Sequence, residues 1–252
     1  MKNRTKTIAI AAVTSLAVLA TLGEASSSGE AESSAPAASA AAEGSVAPAE
    51  ESAAPEESAA SEEAAPVASS WYTDTYGTFE TLTEKGKGDG VIKLPAGAEY
   101  GVVTAVHKGS SNFSLSVLDE GNQPTGDLLV NGIGNYKGTT AYGFSALGNP
   151  GVKIQVTADG SWSVKVAPVS SAPTLTLPAK GNGDKVFLSD GGAADWNVVH
   201  KGKSNFALIQ YSSDLFPNLA VNEIGNYKGK VPMSAGPSVV TISADGAWSF
   251  SE

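Results

Sequence analysis

Apolar and polar side chains alternate with a period of two along most of the chain that follows Ser70. Phe113, Leu115 and Val117 alternate with serines, for example, and the stretch from Trp162 to Val166 has the same pattern. This is the period of half-buried β-strands, and Gly, Pro, Asn or Asp interrupts it every 8–12 residues. No segment after Ser70 has the apolar period of a helix. The pattern therefore predicts an all-β fold.

The strand pattern occurs twice. Residues 77–167 contain the motifs GKGD, HKGSSNF, LVNGIGNYKG and TADGSW, and residues 172–252 contain GNGD, HKGKSNF, AVNEIGNYKG and SADGAW in the same order. Such self-similarity indicates tandem copies of one structural unit. In the first copy we expect strands near residues 78–83, 90–94, 100–107, 111–118, 127–131, 138–144, 151–157 and 160–167. The pattern thus predicts two tandem β-sandwiches of jelly-roll or Greek-key type, at residues 71–168 and 172–252.

The first 70 residues have a different composition. Basic residues precede an uncharged apolar run from Thr7 to Leu22, which is the order of a secretory signal peptide at residues 1–25, with cleavage expected after Ala25 or, alternatively, Ala20. An uncleaved N-terminal anchor is the other interpretation. Residues 26–70 consist almost only of Ala, Ser, Glu, Pro and Gly, which predicts a disordered linker. We therefore expect an exported protein, secreted or associated with the cell envelope.

Composition excludes several classes of function. The chain has no Cys, so it can form neither disulfides nor a lipid-modified cysteine. Most of its negative charge lies in residues 24–70, which hold ten Glu and no basic residue, whereas residues 71–252 hold 13 Lys against 16 Asp and Glu. This part also lacks Arg, the residue best suited to bidentate phosphate contacts, which argues against nucleic-acid binding. After signal cleavage we expect no membrane-spanning segment.

Four aromatic residues without a match in the other copy are candidates for ligand binding. Trp71 and Tyr72 follow directly on the linker, and Trp196 and Tyr211 belong to the second copy alone. Flat aromatic rings on a β-sandwich can stack on sugar rings or on partner side chains. The alternative for each ring is a position that covers the end of a sandwich.

Other aromatic residues match between the copies. Trp162 and Trp248 begin alternating strands, so we expect them in equivalent buried sites. Tyr136 and Tyr227 lie in the glycine-rich motif, where we expect them to fix a strand crossing. This motif is not a phosphate loop, because no helix is predicted after it and Glu223 replaces its first Gly in the second copy.

The matched acidic residues are more typical of turns than of catalytic or metal-binding sites. Asp89 and Asp184 follow two Gly each and are weak candidates for Ca²⁺ ligands, but the oxygen-ligand density of known calcium loops is missing. Asp159-Gly160 and Asp245-Gly246 lie between strands and predict two-residue hairpins in which Gly takes a positive φ. A hydrolase that uses such carboxylates is disfavoured, because catalytic pairs are asymmetric and these residues recur in both copies. A hydrolase would become a stronger interpretation if both acidic residues of one copy faced a common cleft.

The matched histidines, His107 and His200, are the only two in the chain. One His per copy without Cys cannot complete a zinc site, and no Gly-x-Ser-x-Gly motif supplies an activated serine. We expect both histidines to be hydrogen-bonded at turns. The sequence therefore predicts no catalytic residues, no metal and no cofactor.

The motifs GxGD, HxGxSNF, VNxIGNYxG and ADGxW together resemble an uncharacterised tandem repeat of secreted and surface-anchored bacterial proteins, chiefly of high-GC Gram-positive type. The resemblance covers residues 77–252. The chain is also distantly similar to bacterial pre-peptidase C-terminal domains, which are non-catalytic β-sandwiches. The export signal, the linker and the tandem β-units predict a non-catalytic binding module at the cell envelope, which recognises envelope polysaccharide or a protein partner. A structural surface protein without a specific ligand is the alternative.

Overall fold

The structure, a computed structural model, describes residues 70–144, 149–214 and 216–252. The predicted signal peptide and all of the predicted linker except Ser70 lie outside the described residues. Ser70 begins a short helix, α1 (Ser70–Tyr76), so the expectation that no helix follows this residue is wrong. Tyr72 and Tyr76 are four residues apart and lie on one face of the helix, where both are buried. The helix therefore forms around two tyrosine anchors instead of a long apolar stripe.

The first repeat is an eight-stranded sandwich. Its strands are β1 (Leu82–Lys87), β2 (Gly90–Lys93), β3 (Gly101–Lys108), β4 (Asn112–Leu118), β5 (Pro124–Ile133), β6 (Tyr136–Tyr142), β7 (Lys153–Ala158) and β8 (Ser161–Ala167). They form two antiparallel sheets, β1-β8-β3-β6 and β2-β7-β4-β5, which is the strand order of a jelly roll. Seven strands lie where the alternation predicts them, but β1 begins at Leu82, four residues later than expected, and includes the first half of the GKGD motif.

The second repeat has the same topology. Its strands are β9 (Ala179–Asn182), β10 (Lys185–Ser189), β11 (Ala194–Lys201), β12 (Asn205–Tyr211), β13 (Asn218–Ile224), β14 (Tyr227–Met233), β15 (Ser238–Ala244) and β16 (Ala247–Ser251). The sheets β9-β16-β11-β14 and β10-β15-β12-β13 reproduce the order of the first repeat. Each repeat has its own core, built around Phe113 in the first and Phe206 in the second. The prediction of an all-β protein with two tandem jelly-roll sandwiches is confirmed.

A third apolar cluster joins the two repeats. Val102 of β3 packs there with Val186, Leu188 and Val239 of β10 and β15, and α1 inserts Tyr72 into the same cluster. The backbone N–H of Thr139 in β6 also donates to the carbonyl of Asp184 at 3.0 Å. The outer face of the second sheet of repeat 2 therefore rests against an edge of repeat 1, and α1 covers the contact.

Several positions that are apolar at the junction are polar at the matched position of the other copy. Leu188 and Val239, buried at the junction, correspond to the exposed Lys93 and to Lys153 in repeat 1. Val102 corresponds to Asp195, which forms a surface ion pair with Lys230 at 3.3 Å. The two copies thus share a fold but differ at these positions, where only one copy of each pair is buried at the junction.

The hairpins at Asp159-Gly160 and Asp245-Gly246 are present, between β7 and β8 and between β15 and β16. However, neither Gly adopts the positive φ that the sequence led us to expect. Gly is required by close packing, because a Cβ at Gly160 would overlap the carbonyl oxygen of Lys108, and one at Gly246 would overlap that of Lys201. Each hairpin therefore packs directly on the preceding turn.

Candidate functional site

The matched His and Asp of each copy meet at one corner of the sandwich. Nδ1 of His107, at the end of β3, lies 2.7 Å from the carbonyl oxygen of Gly134. Because a carbonyl only accepts, the ring donates through Nδ1, and its buried Nε2 lies 3.4 Å from Oδ1 of Asp159. The other oxygen of Asp159 accepts the backbone N–H groups of Ser110 and Ser111 at 2.8 and 3.0 Å. This His–Asp corner joins three turns of the repeat.

The second copy repeats the corner with nearly the same distances. Nδ1 of His200 lies 2.7 Å from the carbonyl oxygen of Gly225, and its Nε2 lies 3.5 Å from Oδ1 of Asp245. The other oxygen of Asp245 accepts the backbone N–H groups of Lys203 and Ser204 at 2.8 and 2.9 Å. The matched motifs HKGxSNF, IGNY and ADG therefore encode one hydrogen-bonded corner.

The environment of this corner suits structural support better than catalysis. Backbone hydrogen bonds from the β3–β4 and β11–β12 turns lower the pKa of Asp159 and of Asp245. The two imidazole rings are buried and stack on Phe113 and Phe206, with ring centroids 4.4 and 4.3 Å apart. An enclosed imidazole cannot reach a substrate, and a carboxylate held in its ionised form is a poor general acid.

Asp89 and Asp184, the weak calcium candidates, cap the ends of strands. Oδ1 of Asp89 accepts the N–H of Ala158 at 3.0 Å, and Oδ1 of Asp184 accepts the N–H of Ala244 at 2.9 Å. Within the described ranges, no three His, Cys, Asp or Glu side chains gather closely enough to hold a metal ion. Each carboxylate instead bonds the backbone just before a hairpin.

Trp162 and Trp248 pack against matched glycines of the GxGD motif. Their Nε1 atoms donate to carbonyls of this motif at 2.8 and 2.9 Å, and a Cβ on the facing Gly86 or Gly181 would overlap the indole ring. The two sites are equivalent in position but not in burial. Trp248 is 3% exposed, whereas Trp162 is half-buried, because two phenylalanine rings cover only Trp248.

The aromatic candidates of the N-terminal segment belong to the junction. Tyr72 is buried, and its hydroxyl donates to Oδ1 of Asp190 at 2.9 Å. Trp71 is half-buried, and its ring meets those of Tyr72 and Tyr76 edge-on, with centroids 5.1 and 5.4 Å apart. Tyr72 therefore offers no ring face to a ligand, because α1 places it against the second repeat.

The candidates of the second repeat are also covered. Trp196 is 4% exposed and stacks on Phe250 at 5.8 Å, and Tyr211 is half-buried against Phe144 at 4.6 Å. Trp196 and Tyr72 are therefore buried, as in the alternative in which each ring covers part of the fold. Among the described residues, the exposed aromatic ring is that of Phe216.

An open groove of about 790 Å³ lies where the two repeats meet. The first repeat contributes Lys108, Ile133, Asn135, Tyr136 and Lys137, and the second contributes Asn182, Asp184 and Asp245. The hydroxyl of Tyr136 donates to Oδ2 of Asp184 at 2.7 Å, which ties the two sides together. Burial, followed by the charge of Asp184, raises the pKa of Tyr136, so this phenol stays a hydrogen-bond donor. We call this site the junction groove.

Two carboxylates of one copy, Asp184 and Asp245, face this common groove, which is the arrangement that a hydrolase would need. Both are already occupied by protein donors. Asp184 accepts from Ala244 and Tyr136, and the lowered pKa of Asp245 keeps it ionised. Hydrolysis by a carboxylate pair needs one member to carry a proton near neutral pH, so this geometry argues against that chemistry.

Two matched aliphatic side chains, which the strand pattern does not identify as a surface, are the most exposed large apolar residues of the described chain. Ile133 and Ile224 occupy the same turn in the two copies and are 83% and 81% exposed. The flanking lysines are also exposed, at Lys108 and Lys137 in the first copy and at Lys201 and Lys228 in the second. These four ammonium groups form no ion pair with any described residue. The signal that could have found this surface was an aliphatic residue kept in both copies beside turn glycines.

Comparison with protein-family models gives no match for this sequence, and comparison with curated proteins gives none. In the described part of the chain, no helix has the length and apolar character needed to cross a membrane. Function is therefore inferred from the geometry of the chain itself.

Proposed function

We propose that this protein is a secreted or cell-envelope binding protein without catalytic activity, built from two duplicated jelly-roll modules. Its partner is an envelope polysaccharide or a surface protein. The apolar, positively charged N-terminus and the resemblance to secreted and surface-anchored bacterial repeats support this location. The absence of Arg from residues 71–252 argues against a nucleic-acid partner.

The observation that carries the proposal is the exposure of Ile133 and Ile224 at matched turns, at 83% and 81%. An aliphatic side chain so exposed contributes little to the core, and its occurrence in both copies favours contact with a partner. The residues with catalytic potential, by contrast, already bond the backbone in both copies.

The test is binding of the full chain to purified envelope polysaccharide, peptidoglycan and surface-protein fractions. We expect saturable binding to one fraction. The I133S/I224S double variant should lose about tenfold in affinity, because each substitution removes an aliphatic contact that the partner would bury. Val91→Ser is the matched control, since Val91 is 65% exposed but lies away from this turn. Absence of saturable binding would favour a structural surface protein, and release of sugar or peptide fragments would favour a hydrolase.

A further inference from the structure

We infer that the junction groove binds one chain of a carboxylated polysaccharide, with sugar carboxylates at Lys108 and Lys137. This inference rests on the proposed function, because it names the ligand and the site of the same binding protein. Both lysines line the groove and are exposed, and neither forms an ion pair with a described residue. A ligand carboxylate would supply the missing partner.

The acidic side chains of the groove are already hydrogen-bonded to protein groups. Oδ1 and Oδ2 of Asp184 accept from Ala244 and Tyr136, and Oδ2 of Asp245 accepts two backbone N–H groups. The two lysines, by contrast, are exposed and form no ion pair with a described residue. The lysines are therefore the charged groups of the groove that a ligand carboxylate can bind.

The rest of the lining favours a sugar acid over a polyphosphate. Ile133 supplies an exposed apolar surface for the C–H face of a sugar ring, and Asn182 is an exposed amide that can bond hydroxyl groups. A polyphosphate has no such face and has no hydroxyl groups between its closely spaced charges. A polyuronate has one carboxylate per sugar, with hydroxyl groups between the charges.

The site is complete only where two repeats meet. Lys201, Ile224 and Lys228 match the groove residues of the first copy, but they do not line the junction groove. The second copy therefore carries the same side chains outside the groove. This difference provides an internal control.

The experiment measures binding of the full chain to polygalacturonate by titration calorimetry at low ionic strength, with dextran and polyphosphate as comparison polymers. We expect the K108Q/K137Q variant to lose about tenfold in affinity, the scale of two exposed charge contacts, and the matched K201Q/K228Q variant to lose less than about twofold. Binding should also weaken as salt is raised. Unchanged thermal unfolding of both variants confirms that they are folded.

Equal losses in the two lysine variants, or no loss in K108Q/K137Q, would overturn the groove as the site. Equal or tighter binding to dextran or to polyphosphate would overturn the ligand class. In each of these cases saturable binding to an envelope fraction would leave the proposed function standing. If the chain bound neither polygalacturonate nor any envelope fraction, both this inference and the proposed function would be contradicted.

Discussion

At the scale of single residues, His and Asp side chains of the types found in active sites form hydrogen bonds to backbone groups of turns. The carboxylate of Asp159 bonds two N–H groups of one turn and lies beside His107, which bonds the carbonyl of another turn. Asp245 and His200 do the same in the second copy. Turn groups that would otherwise need water are thus satisfied by a few side chains.

Acid should weaken these corners. Backbone donors lower the pKa of Asp159 and of Asp245 in the folded protein, so folding favours the ionised carboxylates. Their contribution is present above the pKa of the unfolded chain, about 3.9, and is lost as the pH falls through the lower folded values. We expect the urea midpoint of the wild type to fall more between about pH 6 and about pH 3 than that of D159N/D245N. Glu80→Gln, at an exposed carboxylate outside both corners, should keep the wild-type slope, and a wild-type slope in the double variant would contradict the prediction.

The glycines that face the two indole rings should not tolerate a methyl group. A Cβ on Gly86 or on Gly181 would overlap Trp162 or Trp248. We expect Gly86→Ala and Gly181→Ala each to lower the free energy of unfolding by about 1–3 kcal/mol, the usual cost of overpacking. Gly132→Ala is the control, since a Cβ there meets no atom within 4 Å. Chemical denaturation measures all three, and a stable Gly181→Ala would show that the ring can move aside.

At the scale of secondary-structure elements, α1 belongs to the junction between the repeats. It has only 7 residues, too few for a stable isolated helix, so its stability must come from the packing of its rings. Burial raises the pKa of Tyr76 to about 12, in line with a ring enclosed among apolar and aromatic neighbours. The segment that follows the predicted linker is thus part of the folded unit.

Removing the central anchor of α1 should loosen the junction. We expect Tyr72→Ala to cost about 3–5 kcal/mol, the range for truncating a buried aromatic ring. Tyr72→Phe, which keeps the ring but loses the hydrogen bond to Asp190, should cost about 1–3 kcal/mol. The exposed Thr75→Ala is the control. Urea unfolding and limited proteolysis measure the effect, and wild-type protease resistance of Tyr72→Ala would show that α1 is dispensable.

At the scale of the whole molecule, one hydrogen bond distinguishes the two matched tyrosines. Tyr136 donates to Asp184 across the junction, whereas the hydroxyl of Tyr227 has no hydrogen-bond partner among the described residues. Each ring otherwise contacts the matched phenylalanine of its own repeat. We expect Tyr136→Phe to lower the free energy of unfolding by about 1–3 kcal/mol and Tyr227→Phe to change it by less than about 0.5 kcal/mol. Equal effects in urea denaturation would mean that the bond does not stabilise the junction.

The sequence predicts the sandwiches well and the junction poorly, for a physical reason. Alternation reports which face of a strand is buried, so β4 and β7 could be located from Phe113 and Ile154 alone. It does not report what covers the opposite face. The runs of apolar residues in β10 and β15 carried that signal, because strands apolar on both faces are covered twice. The difference between Lys93 and its match Leu188 is a sequence signal of the junction, because an apolar residue replaces a lysine on the outer face of the strand.

The candidate site was predicted less well than the fold. The unmatched ring of Tyr72 belongs to the asymmetric junction, whereas the unmatched ring of Trp196 packs in the core of its own repeat. Asp184 was identified as a turn residue, but its bond to Tyr136 depends on how the repeats dock, which no local pattern encodes. Ile133 gives little signal in the sequence, because single exposed aliphatic residues are common on protein surfaces.

The polarity of the outward faces also limits how many copies such a protein can hold. Recombination between two similar gene segments readily produces chains with one copy or three. A third copy would meet Asp195 and Lys230, or Lys93 and Lys153, where the existing pair has Val102, Leu188 and Val239. A single copy would expose the face that now packs against its neighbour. Selection on folding alone would then remove both products, and the copy number of two would be maintained by packing even if the ligand changed.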